Sequence, residues 1–375
     1  MKIRTSILFV VMCLLISACS NVEREQGVNV DCTYTSLLKM QETDEYVSAE
    51  IVNPWDTTKI LHKYILVDKN EPTPDNLPEG TVVKVPLEKS VVYSSVHMAL
   101  LNEWNKLDAV TGVCDLQYIM VPEVQKLAKE GKIKDLGSTM QPEVERIIET
   151  SPDAILVSPY ENNNGYGKLE KSGIPIIECA DYMEVSPLAR AEWMKFYGLL
   201  YGCREKAFDE FENIAKEYNG LKDSIAADTA ARPTVFADMK LGNQWMVPGG
   251  KSTVGIFLHD AGADYLFADL PQSGSVTVSN ETVLDKCQKA DFWLIKYNSI
   301  YNGYVIDYDK LASLDPMYKE FEPVKAKKVF CCDTSVTGFY EETPFHPERL
   351  LENLVSIFRG SENDSHNKIY YKKID

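Results

Sequence analysis

The sequence predicts an α/β protein: two Rossmann-like α/β lobes joined by a long α-helix. Three observations carry this. Short β-rich runs alternate with short helical patterns over 82–177, and again after Arg232-Pro233, which indicates parallel strands with helical crossovers. Between the two regions, 188–227 keeps a helical pattern with almost no breaker. The chain of 375 residues is also the size of two domains.

The start of the chain stands apart from that fold. Lys2 and Arg4 precede an unbroken apolar stretch, 7–16, and then Ile16-Ser17-Ala18-Cys19. The stretch is too short to cross a bilayer, which takes about 20 residues as a helix. A charged start, a short apolar run and small residues make a secretory signal. The cysteine that follows resembles the lipobox of bacterial lipoproteins, in which that cysteine is lipidated and becomes the new N-terminus. The expected division is a signal peptide over 1–18 and a lipid-anchored linker over 19–44. An N-terminal lobe over 45–187, a connecting helix over 188–228, a C-terminal lobe over 229–360 and a polar tail over 361–375 complete it. The expected location is the periplasm or cell envelope, with the membrane reached through the lipid on Cys19.

In the first lobe, 46–51 and 60–67 read as strands with Asn53-Pro54-Trp55-Asp56 turning between them. Ser94-Ser95 supply N-cap hydroxyls for a helix over 96–107. Helices are expected over 122–131, 142–150 and 165–173, and strands over 109–113, 154–157 and 174–177. An unbroken helix over the central segment would span about 60 Å, although Gly198, Gly202 and Gly220 allow a bend. In the second lobe, strands are expected over 234–237, 244–247, 292–295 and 328–332. Helices are expected over 253–261, 282–289 and 347–358.

Composition excludes some partners. The net charge of −17 argues against nucleic acid and anionic lipid surfaces. It suits a basic protein partner, and equally simple solubility. After Cys19, cysteines stand at 32, 114, 179, 203, 287, 331 and 332, an odd number with no Cys-x-x-Cys pair. Cys114, Cys179 and Cys331 lie in strand-like runs and read as small buried hydrophobes.

Several segments carry a family resemblance. They are Val91-Val92-Tyr93-Ser94-Ser95, Thr111-Gly112-Val113, 145–157, Pro248-Gly249-Gly250-Lys251-Ser252, Asp260-Ala261-Gly262-Ala263-Asp264, 281–295 and His346-Pro347-Glu348. In this order and spacing the chain resembles the helix-spined (class III) periplasmic substrate-binding lipoproteins of ABC importers for iron-siderophore complexes, haem or cobalamin. The resemblance implies a monomeric binding protein, not an enzyme, with no intrinsic cofactor and a metal chelate as ligand. It also implies an ABC transporter permease as partner. In such proteins a glutamate on each lobe docks onto permease arginines, and Glu145 and Glu281 fall at the matching positions. Both open predicted helices, where a carboxylate is favoured by the helix dipole and is able to accept bidentate arginine contacts.

The cleft residues follow from topology, because ligands bind beyond strand C-termini in open α/β sheets. Tyr93, Ser94, Ser95 and His97 are expected on one wall, with Tyr118, Tyr160 and Tyr182 after later strands. Lys240, Gln244, Trp245 and Thr337 are expected opposite. Tyrosine and tryptophan offer flat contact area to a bulky chelate, and each serves a core equally well. His97 either coordinates a metal or hydrogen-bonds within its helical turn. Two other readings stay open: a bare metal-ion receptor, for which the five scattered histidines are a poor donor set, and an exported hydrolase without a recognised motif.

Overall fold

The computed structural model describes residues 27–163, 165–360 and 369–375. The expected signal peptide over 1–18 and Cys19 lie outside the described residues.

The N-terminal lobe is built on a five-stranded parallel sheet. Its strands run Ile176–Glu178, Ala154–Val157, Ser90–Val92, Val110–Val113, Lys134–Asp135 across the sheet. Both faces are covered, so the strands read as continuous apolar runs without polar alternation. Val91, Ile155 and Val157 face a small core with Cys114, Leu136 and Ile147, whereas Val92 and Leu156 face the main core.

A second five-stranded sheet precedes this lobe: Val28–Asn29, Leu38–Glu42, Val47–Val52, Ile60–Asp68 and Thr81–Val85. Its pairs are antiparallel except the last. Tyr64 docks it onto the lobe. The Tyr64 hydroxyl donates to the Ile176 carbonyl at 3.1 Å and accepts from the Glu178 N–H at 2.8 Å. The expected linker over 19–44 is therefore corrected from residue 27 onward. Leu38 and Met40 alternate inward as a strand should, and both are buried.

The connecting segment is three helices, not one: Pro187–Glu192, Met194–Leu200 and Arg204–Ala227. Gly202, at φ +65°, lets the chain turn between the last two. Gly198 brings those helices together, since a Cβ there would lie 2.4 Å from that of Ala207. The last helix, about 36 Å long, is the spine. Its buried stripe includes Phe211, Ile214, Ala215 and Tyr218. Phe211 packs edge-on against Tyr34 of the N-terminal part, and Tyr218 against Phe257 of the C-terminal lobe.

The C-terminal lobe repeats the parallel plan with Asp264–Tyr265, Thr234–Ala237, Phe292–Tyr297 and Val329–Asp333. Lys372–Lys373 closes one edge antiparallel to Val329–Asp333. The polar tail expected over 361–375 therefore ends packed on this lobe, where Tyr370 and Tyr371 are buried and Asn353 Oδ1 accepts both their N–H groups. The helix expected over 165–173 is reduced to the single turn Glu170–Ser172.

The seven described cysteines are unpaired. Burial pushes the Cys114 and Cys287 thiols up to about 12, so they pack as apolar groups. Among the described residues no helix is long and apolar enough to cross a membrane.

Candidate ligand cleft

Strand ends of the N-terminal lobe open into a cavity of about 740 Å³. Tyr93, Ser94 and Ser95 line it from the end of Ser90–Val92, Asp115 and Tyr118 from the end of Val110–Val113, and Tyr160 from the loop after Ala154–Val157. These are the strand-end positions the topology rule selects. Ser94 occupies the N-cap of the helix Ser95–Glu103, yet its side chain makes no capping hydrogen bond. The expected capping role is corrected, and the hydroxyl lines the cavity instead. Tyr118 is 67% exposed and Tyr160 54% exposed, so both rings stand at the rim. The Tyr93 hydroxyl lies deeper, beside the Cys114 thiol and with no oxygen or nitrogen partner among the described residues. Burial pushes this phenol well up and keeps it protonated.

His97 is not in the cleft. It is 2% exposed, and its ring lies 4.5 Å from that of Tyr197. Its Nε2 is 3.3 Å from Asp181 Oδ1. The first turn of its helix points it into the core. Tyr182 does not line the cavity either. Its hydroxyl donates to the Pro159 carbonyl and so holds the loop that carries Tyr160.

The opposite wall expected from sequence is corrected in most of its members. Trp245 is fully buried, packed among Phe236, Trp293, Tyr318 and Phe321. Lys240 is paired with Asp315 on the small sheet Lys240–Leu241, Gln244–Pro248, Ser275–Val278, and Gln244 is exposed on the same sheet. Thr337 is buried because its hydroxyl turns back to donate to the Asp333 carbonyl at 2.9 Å.

Two parts of the C-terminal lobe face the other lobe, the segment after Val329–Asp333 and the start of the helix Thr253–Asp260. Ser335 and Val336 border a lateral groove of about 630 Å³ opposite Met120 and Pro122. Tyr340 and Thr253 close a smaller inner cavity of about 240 Å³ with Val96 and Arg190. Thr337 lies in the same segment as Ser335 and Val336, but its turn hydrogen bond decides which residues of that segment face outward. Arg190 was missed; it lies in the stretch Asp181–Trp193 and gave no periodic signal of its own.

Arg190 belongs to a buried charge network. Its Nε is 3.2 Å from Asp181 Oδ2, and the Tyr197 hydroxyl donates to Asp181 Oδ1 at 2.9 Å. Burial pushes the Asp181 carboxyl up, but the His97 hydrogen bond and the Arg190 charge outweigh it and hold the group at about 2. A carboxyl lowered from 3.8 contributes stability that is fully present above that value and is lost as pH falls through about 2. This contribution amounts to about 2 kcal/mol at neutral pH. Asp181→Asn is therefore expected to flatten the acid limb of the stability profile between those values. A variant curve that stays parallel to the parent's in urea titrations across that range would contradict this.

Glu145 and Glu281 are both exposed in the first turns of their helices, Val144–Glu149 and Asn280–Cys287. Val144 and Lys168 line the cavity, and Lys168 Nζ is 2.6 Å from Glu145 Oε1, so Glu145 stands at the cavity rim. The Lys168 hydrogen bond holds the Glu145 carboxyl below its usual range.

Parallel-sheet lobes on a helical spine, with a cavity at the strand ends, define a two-lobed binding protein. Residues 45–336 match the family of periplasmic binding proteins, and the chain belongs to that family. It is a family of transport-related binding proteins, not of enzymes. An uncharacterized lipoprotein of Methanocaldococcus jannaschii is 28% identical, covering 82% of this chain and 77% of its own. Among solved structures, the TroA-like periplasmic binding protein FepB from Veillonella parvula superposes with a TM-score of 0.60 at 16% identity, covering 78% of this chain and 96% of its own. A protein of an ABC-type Fe3+-hydroxamate transport system from Saccharomonospora viridis gives 0.53 at 17% identity, over 73% and 93%.

Proposed function

We propose that this chain is a lipid-anchored receptor that captures an iron complex of siderophore type in the cleft and delivers it to an ABC importer permease. The observation that carries the ligand class is the cavity wall itself. Exposed tyrosines at Tyr118 and Tyr160 flank the hydroxyls of Ser94 and Ser95, a surface suited to a bulky, partly polar chelate. The Fe3+-hydroxamate system to which the S. viridis protein belongs points the same way. Haem and cobalamin are the alternatives, since both present flat faces to aromatic side chains. Anchoring rests on Cys19 and on the lipoprotein relative.

The test is a fluorescence titration of the purified chain with a ferric hydroxamate chelate, haem and cobalamin in parallel. Saturable binding of the ferric chelate is expected, with Tyr118→Ala combined with Tyr160→Ala weakening it about tenfold, as two lost aromatic contacts imply. Tighter binding of haem or cobalamin would move the assignment to that ligand. Binding of none of the three would reject the reading.

A further inference from the structure

Away from the strand-end cavity, three side chains from three parts of the fold converge. Glu103 ends the helix Ser95–Glu103 of the N-terminal lobe, Glu210 lies on the spine, and His346 precedes the helix Pro347–Arg359 of the C-terminal lobe. His346 Nε2 is 2.8 Å from Glu103 Oε2 and 3.9 Å from Glu210 Oε1. One ligand atom of each lies within 4.8 Å of the others.

The outer ring separates this group from an ordinary surface ion pair. Glu348 Oε1 lies 3.2 Å from His346 Nδ1. Trp104 Nε1 donates to Glu210 Oε2 at 2.7 Å. Arg349 Nη2 is 3.6 Å from Glu103 Oε1. Each of the three side chains thus has one polar atom held from outside and the other turned to a shared point. An imidazole oriented through its far nitrogen by a carboxylate is the arrangement that metal-ligating histidines adopt. His346 itself is buried.

Glu348 supplies an independent observation. It is 94% buried, and its Oε2 has no hydrogen-bond partner among the described residues. The nearby cations are engaged on the outer atoms. Arg349 Nε is 3.4 Å from Glu348 Oε1, and Lys206 Nζ donates to the Glu103 main-chain carbonyl at 3.0 Å. A buried carboxylate left with an unanswered oxygen favours further positive charge beside it. The lateral groove between the lobes reaches Glu103 and His346 and gives a path of entry.

We propose that Glu103, Glu210 and His346 bind one divalent first-row transition cation, with Zn2+ the natural probe, as a brace that ties both lobes to the spine. One imidazole and two carboxylates are ordinary zinc donors, and a three-residue set leaves a coordination position for water. The brace is separate from the cleft and stands whatever the cleft binds.

The test uses the untagged chain, stripped with chelator and titrated calorimetrically with zinc chloride. One equivalent is expected to bind and to raise the melting temperature by about 2 °C or more. Glu210→Gln keeps the shape and the Trp104 contact while removing the charge, and is expected to weaken binding at least about tenfold; His346→Ala is expected to abolish it. Because His346→Ala also removes packing, Glu348→Gln provides a check through the outer ring, with an expected loss of about 10- to 100-fold. Anomalous density at the zinc edge between Glu103, Glu210 and His346 would support the site. Density elsewhere, no zinc binding by the parent chain, or unchanged affinity in Glu210→Gln would each overturn it.

Discussion

A chain carrying Glu145→Ala together with Glu281→Ala is expected to bind its ligand as well as the parent does and to support no uptake through the importer. Each glutamate sits in the first turn of an exposed helix, one per lobe, where the N-terminal dipole favours an ionised carboxylate. Neither side chain is needed by a core. Glu145 is already engaged with Lys168, but that pair is exposed on both sides. An exposed pair of this kind is weak and exchanges readily for a permease arginine that binds bidentately and excludes water. Lys168→Ala frees Glu145 without removing it, and because Lys168 also lines the cavity its uptake is compared with its own ligand affinity, which uptake is expected to follow. The measurement is radiolabelled ligand uptake in cells lacking the native receptor, alongside affinity of the purified variants. Loss of affinity in the double variant would place these residues in the cleft, and normal uptake would remove the docking assignment.

The parallel lobes were legible in the sequence because their strands are buried on both faces. Ala154-Ile-Leu-Val157 and Phe292-Trp-Leu-Ile295 stand out as apolar runs whatever their surroundings. Cavity-lining positions were legible just past a strand end, as for Tyr93 after Ser90–Val92 and Tyr160 in the loop after Ala154–Val157. They were not legible where a local hydrogen bond or tertiary packing decides it. The Thr337 hydroxyl folds back onto Asp333, Trp245 joins an aromatic core that includes the distant Trp293, Tyr318 and Phe321, and His97 is drawn to Asp181, 84 residues away. The brace of Glu103, Glu210 and His346 is invisible in sequence for the same reason, since its members come from three separate elements.

The segment 27–44 shows this limit most clearly, and it carries the largest expected stability effect. It is polar and without period, so it reads as a tether. Its order comes from two carboxylates some 150 residues away. Glu192, fully buried, accepts the main-chain N–H groups of Thr33, Tyr34 and Thr35 at 2.9, 2.7 and 2.8 Å. Glu184 accepts from the N–H groups of Ser36 and Leu37 and from Trp193 Nε1. Lys195, 2% exposed, is 3.2 Å from Glu192 Oε1 and donates to the Asp31 carbonyl at 3.0 Å. Side chains here satisfy the main-chain donors that a strand or helix would otherwise satisfy. Glu192→Ala strands three N–H groups and leaves the buried Lys195 with only the exposed Glu212, at 3.2 Å, as a carboxylate partner. The expected cost is about 3–5 kcal/mol, the range for breaking a buried pair from one side. Glu192→Leu combined with Lys195→Met is expected to cost less than Glu192→Ala alone, because no buried charge is then left unpaired. Urea unfolding measures both, and limited proteolysis should show cleavage within 27–37 in Glu192→Ala before the lobes unfold. A loss below about 1 kcal/mol, within the net value of a single ordinary hydrogen bond, would mean that the segment is held by Leu38 and Met40 in the core and not by the carboxylate clasp.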